Sequence, residues 1–136
     1  MRAISVAAFA AGLVGMLLGV ALGQGPRTPP VESRGFRTEV LATLDLANEI
    51  EGMAGRQLRM RRITVEPGGQ FAIHDHRDRP GLFYIQDGTI TEYPEGGAAR
   101  EHHAGRAVAV GHVTRHWEEN RRTGPVIVIA VDIVKK

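Results

Sequence analysis

Residues 68–88 read GGQFAIHDHRDRPGLFYIQDG, and the fold turns on this stretch. Two short mixed runs, QFAIHDH and GLFYIQ, flank the turn-forming RDRP, and Asp87-Gly88 follows as a hairpin signal. If QFAIHDH is a strand, His74 and His76 lie two apart on one face, their imidazoles within reach of one ion. Alone the pair is weak evidence, because two monodentate side chains hold a divalent ion poorly. A third imidazole has to come from elsewhere.

Working outward, the same β signals continue. RTEVLATLDL and QLRMRRITV lie upstream; the second alternates through Leu58 and Met60 and slips at Arg61-Arg62, which predicts a bulge or a strand crossing between sheets. Pro67-Gly68-Gly69 is expected to end that strand. Downstream come TITEYPE, AREHHA, AVAV, HVTRHW and the apolar PVIVIAVDIV, with turns recurring between them. Short strands with frequent turns predict an all-β sandwich or barrel. One helix is expected, over Leu44–Met53, ending at Gly55. No internal repeat or heptad is present.

The chain has 136 residues, which bounds it to one domain. All six histidines fall between His74 and His116. Seventeen basic against fifteen acidic residues leave a formal charge of +2, too even for a dedicated nucleic-acid binder. There is no cysteine, so disulfides, thiolate metal sites, iron–sulfur clusters and cysteine nucleophiles are excluded. Any metal is held by nitrogen and oxygen.

Arg2 precedes an uncharged apolar run, Ala3–Gly23, that ends in Ala21-Leu22-Gly23. This is the pattern of a signal peptide over residues 1–23, with an uncleaved anchor as the alternative because the run is near bilayer-spanning length. Either way the folded part is expected outside the cytoplasm, periplasmic or secreted. Residues 24–35, QGPRTPPVESRG, read as a linker, and the domain is expected over 36–136.

The motif spacing resembles that of the cupins, small β-barrels. Their first motif matches Gly68, five residues, His74-Asp75-His76, four residues, Gly81, six residues, Gly88; their second matches Gly105, five residues, Gly111-His112-Val113, two residues, His116, three residues, Asn120. The resemblance implies a double-stranded β-helix, or jelly-roll barrel, and a metal site of His74, His76 and His116. Two departures stand out. Gly111 and Val113 replace a proline and a glycine in a turn, and Gly81 replaces the family's glutamate ligand. Three neutral nitrogens would leave open positions and the ion's full charge, favouring an anionic ligand. Restoring the acid with Gly81→Glu is expected to raise metal affinity if position 81 faces the metal.

Other residues are read by parity. In HWEEN, Glu118 shares a face with His116 and Asn120 and is the best stand-in for the lost carboxylate, as ligand, base or second partner. His102 and His103 are adjacent and expected at the surface, like His112, Asp78, Arg77, Arg79 and Arg115; an arginine at the barrel mouth would suit a carboxylate. Trp117 is expected to pack, and Phe83 and Ile85 to fill the barrel beside position 81.

With export expected from the N-terminal run, the resemblance implies a domain binding one divalent metal (Fe, Mn, Zn, Cu or Ni) and a small anionic organic molecule, with dioxygenase-like or isomerase-like Lewis-acid chemistry. A non-catalytic metal- or ligand-binding module is the competing reading, and a metal-free barrel with structural histidines a third. A homodimer through the segment Phe36–Leu44 is expected.

Overall fold

The computed structural model describes residues 27–136; the expected signal peptide or anchor, and the start of the linker, lie outside the described residues. Eight strands follow in order: β1 (Arg34–Asp45), β2 (Arg56–Asp75), β3 (Gly81–Asp87), β4 (Thr89–Pro94), β5 (Arg100–His103), β6 (Ala107–Val110), β7 (Arg115–Glu119) and β8 (Val126–Lys135). They form one curled antiparallel sheet in the order β5-β4-β7-β2-β8-β3-β6, with β1 added to β2. The described residues contain no helix, and the fold is all-β.

The expected helix over Leu44–Met53 is absent. Leu44 and Asp45 finish β1, and the chain then makes a single turn closed by Ile50 N–H donating to Leu46 O. Leu46 alone of its apolar residues is buried there, so no helical stripe had a partner to pack against.

Pro67-Gly68-Gly69 does not end a strand but bends one. β2 runs through it, pairing with β8 over Arg56–Val65 and with β7 from Gln70 onward. Gly69 has no room for a side chain, because a Cβ there would lie 2.3 Å from Gly35 O. Asn120, fully buried, holds the bend. Its backbone exchanges hydrogen bonds with Gly68 and Gly69 at 2.9 Å, and its Nδ2 donates to Val65 O and Gly124 O.

The slip at Arg61-Arg62 also has a different cause. β2 pairs with β8 without interruption there, and the irregularity lies in β1 between Val40 and Ala42. The inward face of β2 is Arg59, Arg61, Ile63 and Val65, so the apolar alternation through Leu58 and Met60 marks the other face. Asp87-Gly88 makes no hairpin. β3 pairs with β6 and β8 whereas β4 pairs with β5 and β7, so Gly88, at φ +81°, carries the chain across a corner.

The interior is layered by register. Val65, Ile85, Ile90, Val126 and Val128 form the apolar core, with Ile63, Phe71 and Phe83 against it. The next layer along the strands sets Arg61 and Phe83 on either side of Ala130, and the one beyond sets Arg59 and Gly81 on either side of Asp132. Trp117 packs as expected, buried and stacked on Tyr93 with ring centroids 3.8 Å apart.

Candidate metal centre

β2 carries His74 and His76 past the bend, and β7 brings His116 into register directly opposite His74. The three histidines named from sequence therefore meet, and their ligand atoms all lie within 4.8 Å of one another. His116 is fully buried and His76 is buried; His74 is partly exposed to a cavity of about 350 Å³.

Each ring is oriented through Nδ1. The acceptors are Ala72 O at 2.9 Å from His74, Arg79 O at 3.1 Å from His76 and Glu92 Oε1 at 2.7 Å from His116. Carbonyl and carboxylate oxygens only accept, so each Nδ1 bears a hydrogen and each neutral ring keeps its lone pair on Nε2. The Nε2 atoms lie 3.2 Å apart between His74 and His76 and 3.0 Å apart between His76 and His116. Three lone pairs this close repel one another unless a proton or a cation sits among them. Metal–nitrogen bonds of roughly 2.0–2.1 Å place neighbouring ligand nitrogens about 3.0–3.4 Å apart, so the donor set fits a divalent ion.

Electrostatics separates the rings. Burial lowers the pKa of His74 to about 4 and lowers that of His76, keeping both neutral. Burial opposes charge on His116 too, but the Glu92 hydrogen bond and the charges of Glu118 and Glu92 outweigh it and raise its pKa. Of the three rings, His116 is thus the one at which a proton competes most strongly with a metal ion.

Glu92 was not legible as a site residue. It is buried, bridges His116 Nδ1 and His102 Nε2 at 2.7 Å each, and is driven down to about 2, above all by the His116 hydrogen bond. The signal was parity: in TITEYPE, Glu92 shares a face with Ile90, so a charge sits on a core face. His102 corrects the surface expectation. It pairs with Ile90 across β4 and β5 and is buried, whereas His103 is exposed.

Glu118 does face the site. Its Oε1 lies 3.2 Å from His116 Nε2, and burial pushes its carboxyl up to about 7. Among the described residues two buried side-chain atoms lack a hydrogen-bond partner, Glu118 Oε2 and Arg61 Nε, and both residues line the cavity. Arg79 lines it as well, against the surface expectation. Arg77, His112, Asp78 and Arg115 are exposed as read, Arg115 paired with Glu95.

Gly81 faces inward in the layer of Asp132, but it leaves no gap for an acid. A Cβ there would lie 2.5 Å from Val131 O and 3.0 Å from Asp132 Cβ, so β8 would have to move. Gly81→Glu is therefore expected to cost about 1–3 kcal/mol of stability, as overpacking does, with no gain in metal affinity. Thermal unfolding and a zinc titration of the variant check both, and tighter zinc binding would reverse the conclusion.

The family model described as Cupin domain matches residues 61–132. Among solved structures, the polyketide cyclase RemF from Streptomyces resistomycificus superposes with TM-score 0.61 at 16% identity, covering 81% of this chain and 71% of that one. A Cupin 2 conserved barrel domain protein from Salinispora arenicola gives 0.55 at 21% identity, covering 80% and 89%. A recombinant oxalate oxidase in complex with glycolate gives 0.54 at 20% identity, covering 74% and 55%. At such identities the likeness is one of fold. A search of curated proteins finds no match to the chain.

Proposed function

The chain belongs to the Cupin domain family, and from that premise we propose that His74, His76 and His116 hold one divalent ion beside a cavity that takes a small anionic organic molecule. The observation that carries this reading is the convergence of three lone-pair nitrogens, each ring fixed by its own Nδ1 hydrogen bond. The oxalate oxidase neighbour holds glycolate, a small carboxylate, which agrees with the choice of ligand.

Glu118 favours an enzyme over a passive binding module. A largely buried carboxyl next to the donor set, with one oxygen unpartnered and its pKa pushed up by burial, is placed to take or give a proton. Metal storage needs no such group. A bound ion would act as a Lewis acid on an oxygen-bearing ligand, and the reaction class is dioxygenase-like or isomerase-like. Phe71, Phe83 and Ile63 wall the cavity and limit water. The run Ala3–Gly23 supports export, and exposed Val40, Leu41 and Leu44 on β1 support a homodimer through that strand.

Zinc titration of the purified full chain by calorimetry tests the metal reading. One equivalent is expected to bind, with a proton release that grows as pH is lowered, seen as a heat that varies with the ionisation enthalpy of the buffer. Because the pKa of His116 is raised, proton competition sets in early and affinity falls as pH is lowered. His74→Ala is expected to weaken binding beyond the roughly 10–100-fold cost of losing an outer-shell partner. No stoichiometric uptake of zinc, manganese, iron, copper or nickel would overturn the reading.

A further inference from the structure

Asp132 on β8 stands among three arginines. Arg59 grips it with Nε and Nη2 at 3.0 and 2.9 Å, Arg61 Nη2 donates to it at 2.8 Å, and Arg79 Nε approaches to 3.9 Å. Asp132 is buried, and the side chains of Arg61 and Arg79 are 14% and 35% exposed. Three cations share one carboxylate, and Arg59 alone already occupies both of its oxygens.

Arg61 and Arg79 are the two of the three that line the cavity beside His74 and His76. Among the described residues, the bond to Asp132 is the only hydrogen bond the Arg61 side chain makes, and its Nε is buried without an acceptor. Arg79 lies beyond hydrogen-bond range of Asp132. Burial depresses Arg61, Asp132 counters it, and Arg59 and Arg79 depress it further, so the cluster is short of negative charge. The cavity's own carboxylate, Glu118, is 3.2 Å from His116, whose charge acts on it more strongly than that of Arg79 does. Partly buried guanidinium groups in excess call for an anionic partner, and a planar fork selects a carboxylate. The remaining wall is mostly apolar, with Phe36, Ile63, Phe71 and Phe83, and carries the hydroxyls of Ser33 and Thr38.

We infer that Arg61 and Arg79 form a carboxylate-binding subsite, which anchors a small organic acid by its charged end with its apolar body along the aromatic wall. This deepens the functional reading above by naming the ligand class and the residues that select it.

The test titrates benzoate and its neutral isostere benzamide into the full chain, once with a chelator and once loaded with zinc. Benzoate is expected to bind in both states, with benzamide weaker by roughly 10–100-fold, the usual worth of a charge-assisted hydrogen bond. Arg61→Gln and Arg79→Gln should each remove most of that preference and leave zinc affinity equal or higher. If Arg61→Gln fails to fold, Arg79→Gln decides, since it has no hydrogen bond to Asp132 to lose. Equal binding of the two probes, no binding of benzoate in either state, or undiminished benzoate preference in the variants would overturn the subsite. Benzoate binding without zinc uptake would uphold it while the metal reading falls.

Discussion

His116→Ala is expected to abolish divalent-metal binding and to lower the stability of the domain by about 3 kcal/mol, the scale for removing one partner of a buried charged pair. The side chain is fully buried and bonded on both sides, Nδ1 to Glu92 at 2.7 Å and Nε2 toward His76 at 3.0 Å. Its removal takes away the third nitrogen, without which two imidazoles hold an ion poorly. It also strips Glu92 of the hydrogen bond that does most to hold its carboxyl low, leaving His102 as sole partner of a buried anion. The stability loss should therefore appear in metal-free protein and grow when wild type is compared with zinc present, since binding adds to the folded state alone. Denaturant unfolding with and without chelator separates the two parts. A variant that kept wild-type zinc affinity would remove His116 from the site.

Glu92→Gln isolates the charge behind the ring. The amide keeps the shape and still accepts from His116 Nδ1, so the fold is expected to survive. Metal affinity is expected to fall by roughly 10–100-fold, as for other outer-shell carboxylates. The sign of the pH dependence is specific. Glu92 helps hold the pKa of His116 up, so its neutralisation lowers that pKa and relieves proton competition. The affinity gap between variant and wild type should therefore be widest at pH 8 and narrower at pH 6. The His116 titration followed by NMR should move down. A uniform gap across pH would assign Glu92 a packing role only.

The parts of this molecule that were legible in the sequence are those with fixed spacing. Period-two alternation places His74 and His76 on one face, and parity in HWEEN places Glu118 with His116; neither needs tertiary information. The residues that escaped require knowledge of which strands are neighbours. Glu92 and His102 meet His116 because β4 lies between β5 and β7, a pairing that no local pattern encodes. Arg61 carries no signal of its own because Leu58 and Met60 form the more apolar alternation on β2, although the inward face there is the charged one. Asp87-Gly88 has the composition of a hairpin, and only the pairing of β3 with β8 shows that it turns a corner. Leu44–Met53 has helical spacing but no core against which to lay it.

The bend in β2 distributes tolerance to length changes unevenly along this chain. Residues added to the exposed turn after β4, around Glu95–Ala99, extend a loop at the periphery and leave every donor in place. One residue added between Gly69 and Phe71, ahead of the register shift between Phe71 and His74, reverses the parity of the rest of β2, so that both imidazoles point away from His116 while Arg61 keeps its orientation. Asn120 grips both ends of the stretch just before that point, on Val65 and on Gly68 and Gly69, and so acts as a gauge for the length of the bend. Between these two positions, insertion is harmless at one and disabling at the other.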